Sequence, residues 1–240
     1  MNGKVVLVTG AAKRIGRCIA IRLAVEGATV AIHYGESEAE AWEVARACGN
    51  GAAIFRADLE KVAEIERLFT EVVARYGRVD ALVNNAARFT RFDPLVVTEG
   101  DWDFIHSVNL KAVFFCCQQA GRLMKAQGGG GRIVNISSLG GIRPWAEHSH
   151  YCASKAGVIH LTRALAKAFA TFGVSVNSVA PGVIPFSEAE LVRVRGLVEQ
   201  TPAARAGTAD EIAEAVSYFL RASEFVTGQL IAVDGGLSQV

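Results

Sequence analysis

"KVVLVTGAAKRIG", residues 4–16, passes from a short β-branched apolar run into a glycine-bounded loop and then into a helical pattern. A run this short and this uniformly apolar suits a strand buried on both faces, as in a parallel sheet. The same unit recurs down the chain. Strands are expected at 4–10, 28–34, 52–59, 79–87, 132–138, 174–182 and 229–236. Helical patterns fill the intervals, running to about Glu26 and then over 37–48, 61–76, 100–126, 151–171 and 208–221. This alternation predicts right-handed βαβ units and an α/β fold: one doubly wound, seven-stranded parallel sheet with helices on both faces. Gly128–Gly131 reads as a flexible turn rather than a linker, so residues 1–240 are expected to form a single domain.

Composition narrows the function. Of 240 residues, 51% are hydrophobic and 20% charged, and the formal net charge is +1. A balance so near neutral offers no field for nucleic acid or an anionic membrane, and neither is an expected partner. No signal peptide is recognisable in "MNGKVVLVTG", and no apolar run approaches the roughly 18 residues of a membrane span. A cytoplasmic location is therefore expected. The five cysteines are odd in number and form no C-x-x-C pair, which fits free thiols in a reducing compartment. His148 and His150 lack a third ligand of the usual spacing, so no metal is expected and they read as loop residues near a site mouth.

The loop "TGAAKRIG", 9–16, lies between the first strand and the first helix. Gly10 permits a tight turn, Gly16 allows close approach of helix and sheet, and the helix N-terminus presents free N–H groups to a pyrophosphate. In this position the loop predicts dinucleotide binding on a Rossmann fold. Arg14 stands where a third glycine is common, and a cation there suits the 2′-phosphate of NADP. Glu36 opposes this reading, because an acid at that distance suits the ribose of NAD. With the second strand ending at Tyr34, Glu36 is expected to face solvent, and NADP(H) is preferred over NAD(H).

A second group of polar residues falls at the other strand ends. Ser138 ends the fifth strand, Tyr151 and Lys155 share one face of the next helix, and Asn109 interrupts an apolar helical pattern. Each alone has an ordinary structural reading. Together with Thr9-Gly10…Gly16, Asp58, "NNAA" (84–87), Pro181-Gly182 and the closing "VDGG", they resemble the short-chain dehydrogenase/reductase family over essentially the whole chain.

The resemblance implies roles. Tyr151 would be the general acid/base, Ser138 would orient the substrate oxygen, Lys155 would lower the Tyr151 pKa and grip the nicotinamide ribose, and Asn109 would hold a water joining Lys155 to solvent. Cofactor contacts would fall on Gly10, Lys13, Arg14, Ile15 and Gly16, on Tyr34 and Ser37, and on Asp58 and Leu59. Others would fall on Asn85, Ala86 and Ala87, on Tyr151 and Lys155, and on Pro181, Gly182 and Ile184. Three positions depart from the family pattern: Arg14 for a loop glycine, Ala87 for the last glycine of Asn-Asn-Ala-Gly, and Phe186 where a threonine often bonds the carboxamide. Ala87 is expected to be tolerated if its φ is negative.

The expected activity is NADPH-dependent reduction of a carbonyl. Phe89, Trp145 and Phe186 are the expected substrate residues, and 185–205 the expected lid. "TGAAKRIG", "IHY" and "NNAARF" look like pteridine reductases, and "EQTPAARAGTADEIAEAVSYFL" is similar to 3-oxoacyl-carrier-protein reductases. Ser138 stands where the pteridine branch usually has Asp. A non-catalytic dinucleotide sensor is the reading from another class. The family implies a homo-oligomer, tetramer or dimer, with helices 100–126 and 151–171 at the contacts.

Overall fold

A computed structural model describes residues 1–240. The strands are β1 (Val5–Val8), β2 (Thr29–Tyr34), β3 (Ala53–Arg56), β4 (Ala81–Asn84), β5 (Gly131–Ile136), β6 (Val174–Pro181) and β7 (Leu230–Val233). All neighbours pair in parallel, in the order β3-β2-β1-β4-β5-β6-β7. The helices are α1 (Arg14–Val25), α2 (Glu38–Cys48), α3 (Val62–Tyr76), α4 (Glu99–His106), α5 (Val113–Gln127), α6 (Ser149–Phe169), α7 (Glu188–Arg193), α8 (Arg195–Gln200) and α9 (Ala209–Arg221).

The pleat of β1 shows why the sheet is doubly wound. Val6 and Val8 join a cluster of 26 buried residues with α1, α2 and α9, while Val5 and Leu7 join one of 23 with α3, α5 and α6. Because successive side chains point to opposite faces, a strand of consecutive apolar residues must be covered twice. The two near-equal clusters are that cover. No helix is long and apolar enough to cross a membrane.

The expected elements are present, with shorter strands, two added short helices, α7 and α8, in the expected lid, and differences in two of the expected helices. The pattern at 100–126 is broken by a π-helical turn, Ser107–Ala112, between α4 and α5, and Asn109 sits in it. Helix α6 starts at Ser149, so Tyr151 lies within its first turn. The chain crosses from β3, at the sheet edge, back to β4 beside β1. That reversal of strand order opens a crevice at the carboxyl ends of β1 and β4, where open α/β sheets bind ligands.

Candidate active site

The loop after β1 is built for close approach. Gly10 adopts φ +61°, and a Cβ on it would lie 2.9 Å from the Ala86 Cα. A Cβ on Gly16 would lie 2.2 Å from the Gly10 carbonyl oxygen. The end of β4 is stapled to this loop. Asn85 Nδ2 donates to the Thr9 and Gly10 carbonyls at 3.0 Å each, and Thr9 Oγ1 accepts the N–H groups of Asn85 and Ala86 at 2.9 and 3.1 Å. The N-terminus of α1 has no side-chain cap and no acid in its first turn. Thr98, Ser187 and Thr208 do cap α4, α7 and α9. The first-turn N–H groups of α1 are thus left for an anion, and the cradle fits a dinucleotide pyrophosphate.

His33 escaped the sequence reading. Its ring is buried on β2. Gly10 N–H donates to Nδ1 at 3.0 Å, and Nε2–H faces the Ala57 carbonyl at 3.1 Å. Only the neutral ring with its proton on Nε2 makes both bonds. Burial accordingly pushes its pKa down to about 4.

The two basic loop residues point to different partners. Lys13 Nζ reaches Glu40 on α2 at 2.8 Å, on the side where β2 ends. Arg14 adopts φ +54°, the left-handed conformation that explains the glycine usual at this place, and pairs with Glu190 of α7. Ile15 packs against the α1 side of the core and Tyr34 is buried within it. Glu36 is exposed, and Ser37 caps α2 without using its hydroxyl. Asp58 pairs with Lys61 at 3.1 Å, ahead of buried Leu59. Ala87 is not among the residues with positive φ. Pro181 ends β6, a Cβ on Gly182 would meet Asp234 Cα at 2.6 Å, and Ile184 packs on the core.

Ser138, Tyr151 and Lys155 come together, buried, where β5 meets α6. Ser138 Oγ accepts the Gly140 N–H at 3.1 Å, which orients its hydroxyl group. Lys155 Nζ donates to the Ile136 carbonyl at 2.9 Å, one of its three available N–H bonds. Burial pulls the lysine pKa down to about 8. Tyr151 is shifted in the opposite direction. Burial raises its pKa to about 12, against a hydrogen bond from Ser138 that lowers it. Lys155 Nζ lies 5.9 Å from the phenol ring centroid.

Asn109 is fully buried and spends its carboxamide on structure. Oδ1 accepts the Arg88 N–H at 2.7 Å, while Nδ2 donates to the Arg88 carbonyl at 2.9 Å and Ser154 Oγ at 3.3 Å. It thereby fixes the strand of chain that carries Phe89.

Phe89 stacks on His148 at 4.5 Å and meets Tyr151 edge-on at 4.7 Å. Trp145 meets His148 edge-on at 5.8 Å. His148 Nδ1 bonds the Thr90 carbonyl at 2.8 Å, and Phe92 N–H donates to the Glu147 carbonyl at 2.9 Å. An aromatic wall on two zipped loops therefore adjoins the phenol, and His148, expected near a site mouth, is a member of it. Phe186 is not part of it and lies under the Arg14 guanidinium, 4.6 Å away.

A family described as enoyl-(acyl carrier protein) reductase matches residues 10–238. The 3-oxoacyl-[acyl-carrier-protein] reductase of Staphylococcus aureus is 38% identical over 242 residues, covering 98% of both chains. The 2-dehydro-3-deoxy-D-gluconate 5-dehydrogenase of Escherichia coli is 35% identical over 246 residues, covering 98% of this chain and 96% of that one. Among solved structures, a variant of a Serratia marcescens short-chain dehydrogenase/reductase superposes with TM-score 0.91 at 31% identity, covering 99% of this chain and 98% of that one.

Proposed function

The chain belongs to the short-chain dehydrogenase/reductase family of NAD(P)-dependent oxidoreductases, and on that footing we propose that it reduces a carbonyl with NADPH, Tyr151 serving as general acid. The observation that carries the reading is the buried Ser138–Tyr151–Lys155 group where β5 meets α6, beside the glycine loop. A protonated phenol suits the reductive direction, in which the substrate oxygen must gain a proton. The Ser138 hydroxyl would orient that oxygen beside Tyr151.

The nicotinamide supplies the hydride when bound. The chain's part is to hold it. The first turn of α1 would take the pyrophosphate, the two spare N–H bonds of Lys155 the nicotinamide ribose, and Asp58 the adenine. Preference for NADP rests on Lys13, which reaches the ribose side of the cradle, and on Glu36, which is exposed. Tyr34 and Ser37 would border the 2′-phosphate. With the Asn109 side chain spent on Arg88, the water expected of it would fall to a main-chain carbonyl of the π turn. The large exposed rings Trp102, Phe104 and Phe114 on α4 and α5 support a homo-oligomer.

For the substrate, the wall of Phe89, His148 and Trp145 favours a compact, flat ketone. A 3-oxoacyl thioester is the second reading, supported by the relatives of that name. The pterin reading is weakened by His148, which already covers one face of Phe89. The test is cofactor absorbance with NADPH and NADH against aromatic ketones, quinones, an acetoacetyl thioester and dihydrobiopterin. Turnover of a flat ketone with NADPH is expected. Turnover with NADH alone would overturn the cofactor assignment, and turnover of the thioester alone would replace the first substrate reading with the second.

A further inference from the structure

Helices α7 and α8 bury no residue. One ion pair joins segment 185–200 to the body of the protein. Arg14 Nη2 donates to both carboxylate oxygens of Glu190 at 2.6 Å each, and the face of the guanidinium lies 4.6 Å from the Phe186 ring centroid. Glu190 also accepts the Phe186 N–H at 2.9 Å, and its own N–H is bound by Ser187 Oγ at 3.2 Å. One carboxylate therefore fixes a ring and a cation together.

Arg14 is the first residue of α1, in a left-handed conformation that costs a non-glycine residue about 1 kcal/mol. The chain accepts that cost at the point where the helix offers its N–H groups to an anion. A guanidinium carries five N–H donors, and Glu190 takes only those on Nη2. Nε and Nη1 donate to no protein group, so the same side chain has donors left for a second anion.

We propose that Glu190 is a positioning residue: it clamps Arg14 against Phe186 so that Nε and Nη1 meet the cofactor pyrophosphate, and bound cofactor thereby ties segment 185–200 down as a lid. The proposal rests on the dinucleotide-dependent reading above. The guanidinium separates the carboxylate from the diphosphate, so the two anions bind one cation instead of repelling each other directly.

Arg193 and Arg195 are exposed in the segment and serve as tryptic reporters. Limited trypsin cleavage is followed with and without NADPH, alongside NADPH binding by fluorescence, for wild type, Glu190→Gln and Glu190→Asp. NADPH is expected to slow lid cleavage in wild type. Glu190→Gln should be cut about threefold to fivefold faster without cofactor, lose the NADPH protection, and bind NADPH about threefold to fivefold more weakly, the reach of a half-exposed ion pair. Glu190→Asp should recover most of both effects, which a merely structural defect would not. Wild-type behaviour of Glu190→Gln while wild type binds NADPH overturns this proposal alone. A wild-type protein that binds neither NADPH nor NADH overturns the dinucleotide reading and the proposal with it.

Discussion

His33→Gln removes the one titrating group between the glycine loop and β3 while leaving an acceptor for Gly10 N–H and a donor for the Ala57 carbonyl. Burial lowers the folded-state pKa from 6.5 to about 4. Between those values the unfolded chain binds a proton that the folded chain excludes, so stability rises with pH across the window and is lost on acidification. The full shift corresponds to about 3 kcal/mol at 1.36 kcal/mol per pH unit, with about 2 kcal/mol already lost between pH 7 and pH 5. Urea unfolding of both proteins at the two pH values isolates the residue, since other groups titrate alike in both. The wild-type loss of stability on going to pH 5 should exceed that of His33→Gln by about 2 kcal/mol. Equal losses would mean that the ring is not held neutral, and the account of the loop would be wrong.

Other consequences follow from the same geometry. Gly10→Ala places a Cβ against the Ala86 backbone in a left-handed residue, and should cost about 2 kcal/mol or more in thermal or urea unfolding and weaken cofactor binding. Lys155→Met replaces a buried ammonium whose pKa has fallen from 10.5 to about 8. It should raise stability at pH 7 by about 1–3 kcal/mol while lowering turnover at least about a hundredfold, a trade measurable on one preparation. Phe89→Ala removes the ring that stands on Tyr151, and should lower kcat/KM for a flat ketone about tenfold with NADPH affinity unchanged.

The fold was legible because its determinants are local: each β-branched run, its glycine boundary and the helical pattern after it fit within one βαβ unit. Tyr151 and Lys155 were legible for the same reason, being one turn apart on α6. What stayed hidden depends on partners far along the chain. "IHY" reads as buried strand, and nothing in it shows that His33 spans the loop after β1 and the end of β3. Arg14 is visible as a cation in a phosphate loop, but its pairing with Glu190 comes from a distant short helix with no apolar pattern of its own. The π turn is hidden because Asn109 shows only as one polar residue in the apolar pattern of 100–126, which does not specify a change of helix type. Helical spacing places Lys155 on the right face of α6 yet says nothing of its burial or of the Ile136 carbonyl that takes its Nζ.

The central claim, proton donation by Tyr151 within a dinucleotide-dependent reductase, is tested most directly by Tyr151→Phe. Turnover is followed by NADPH absorbance with a ketone the wild type reduces, and NADPH binding by fluorescence on the same samples. Loss of the hydroxyl should lower kcat by about 10²–10⁴-fold, the usual contribution of a positioned acid, with NADPH affinity within about twofold of wild type. A variant that binds NADPH and turns over at the wild-type rate would contradict the claim.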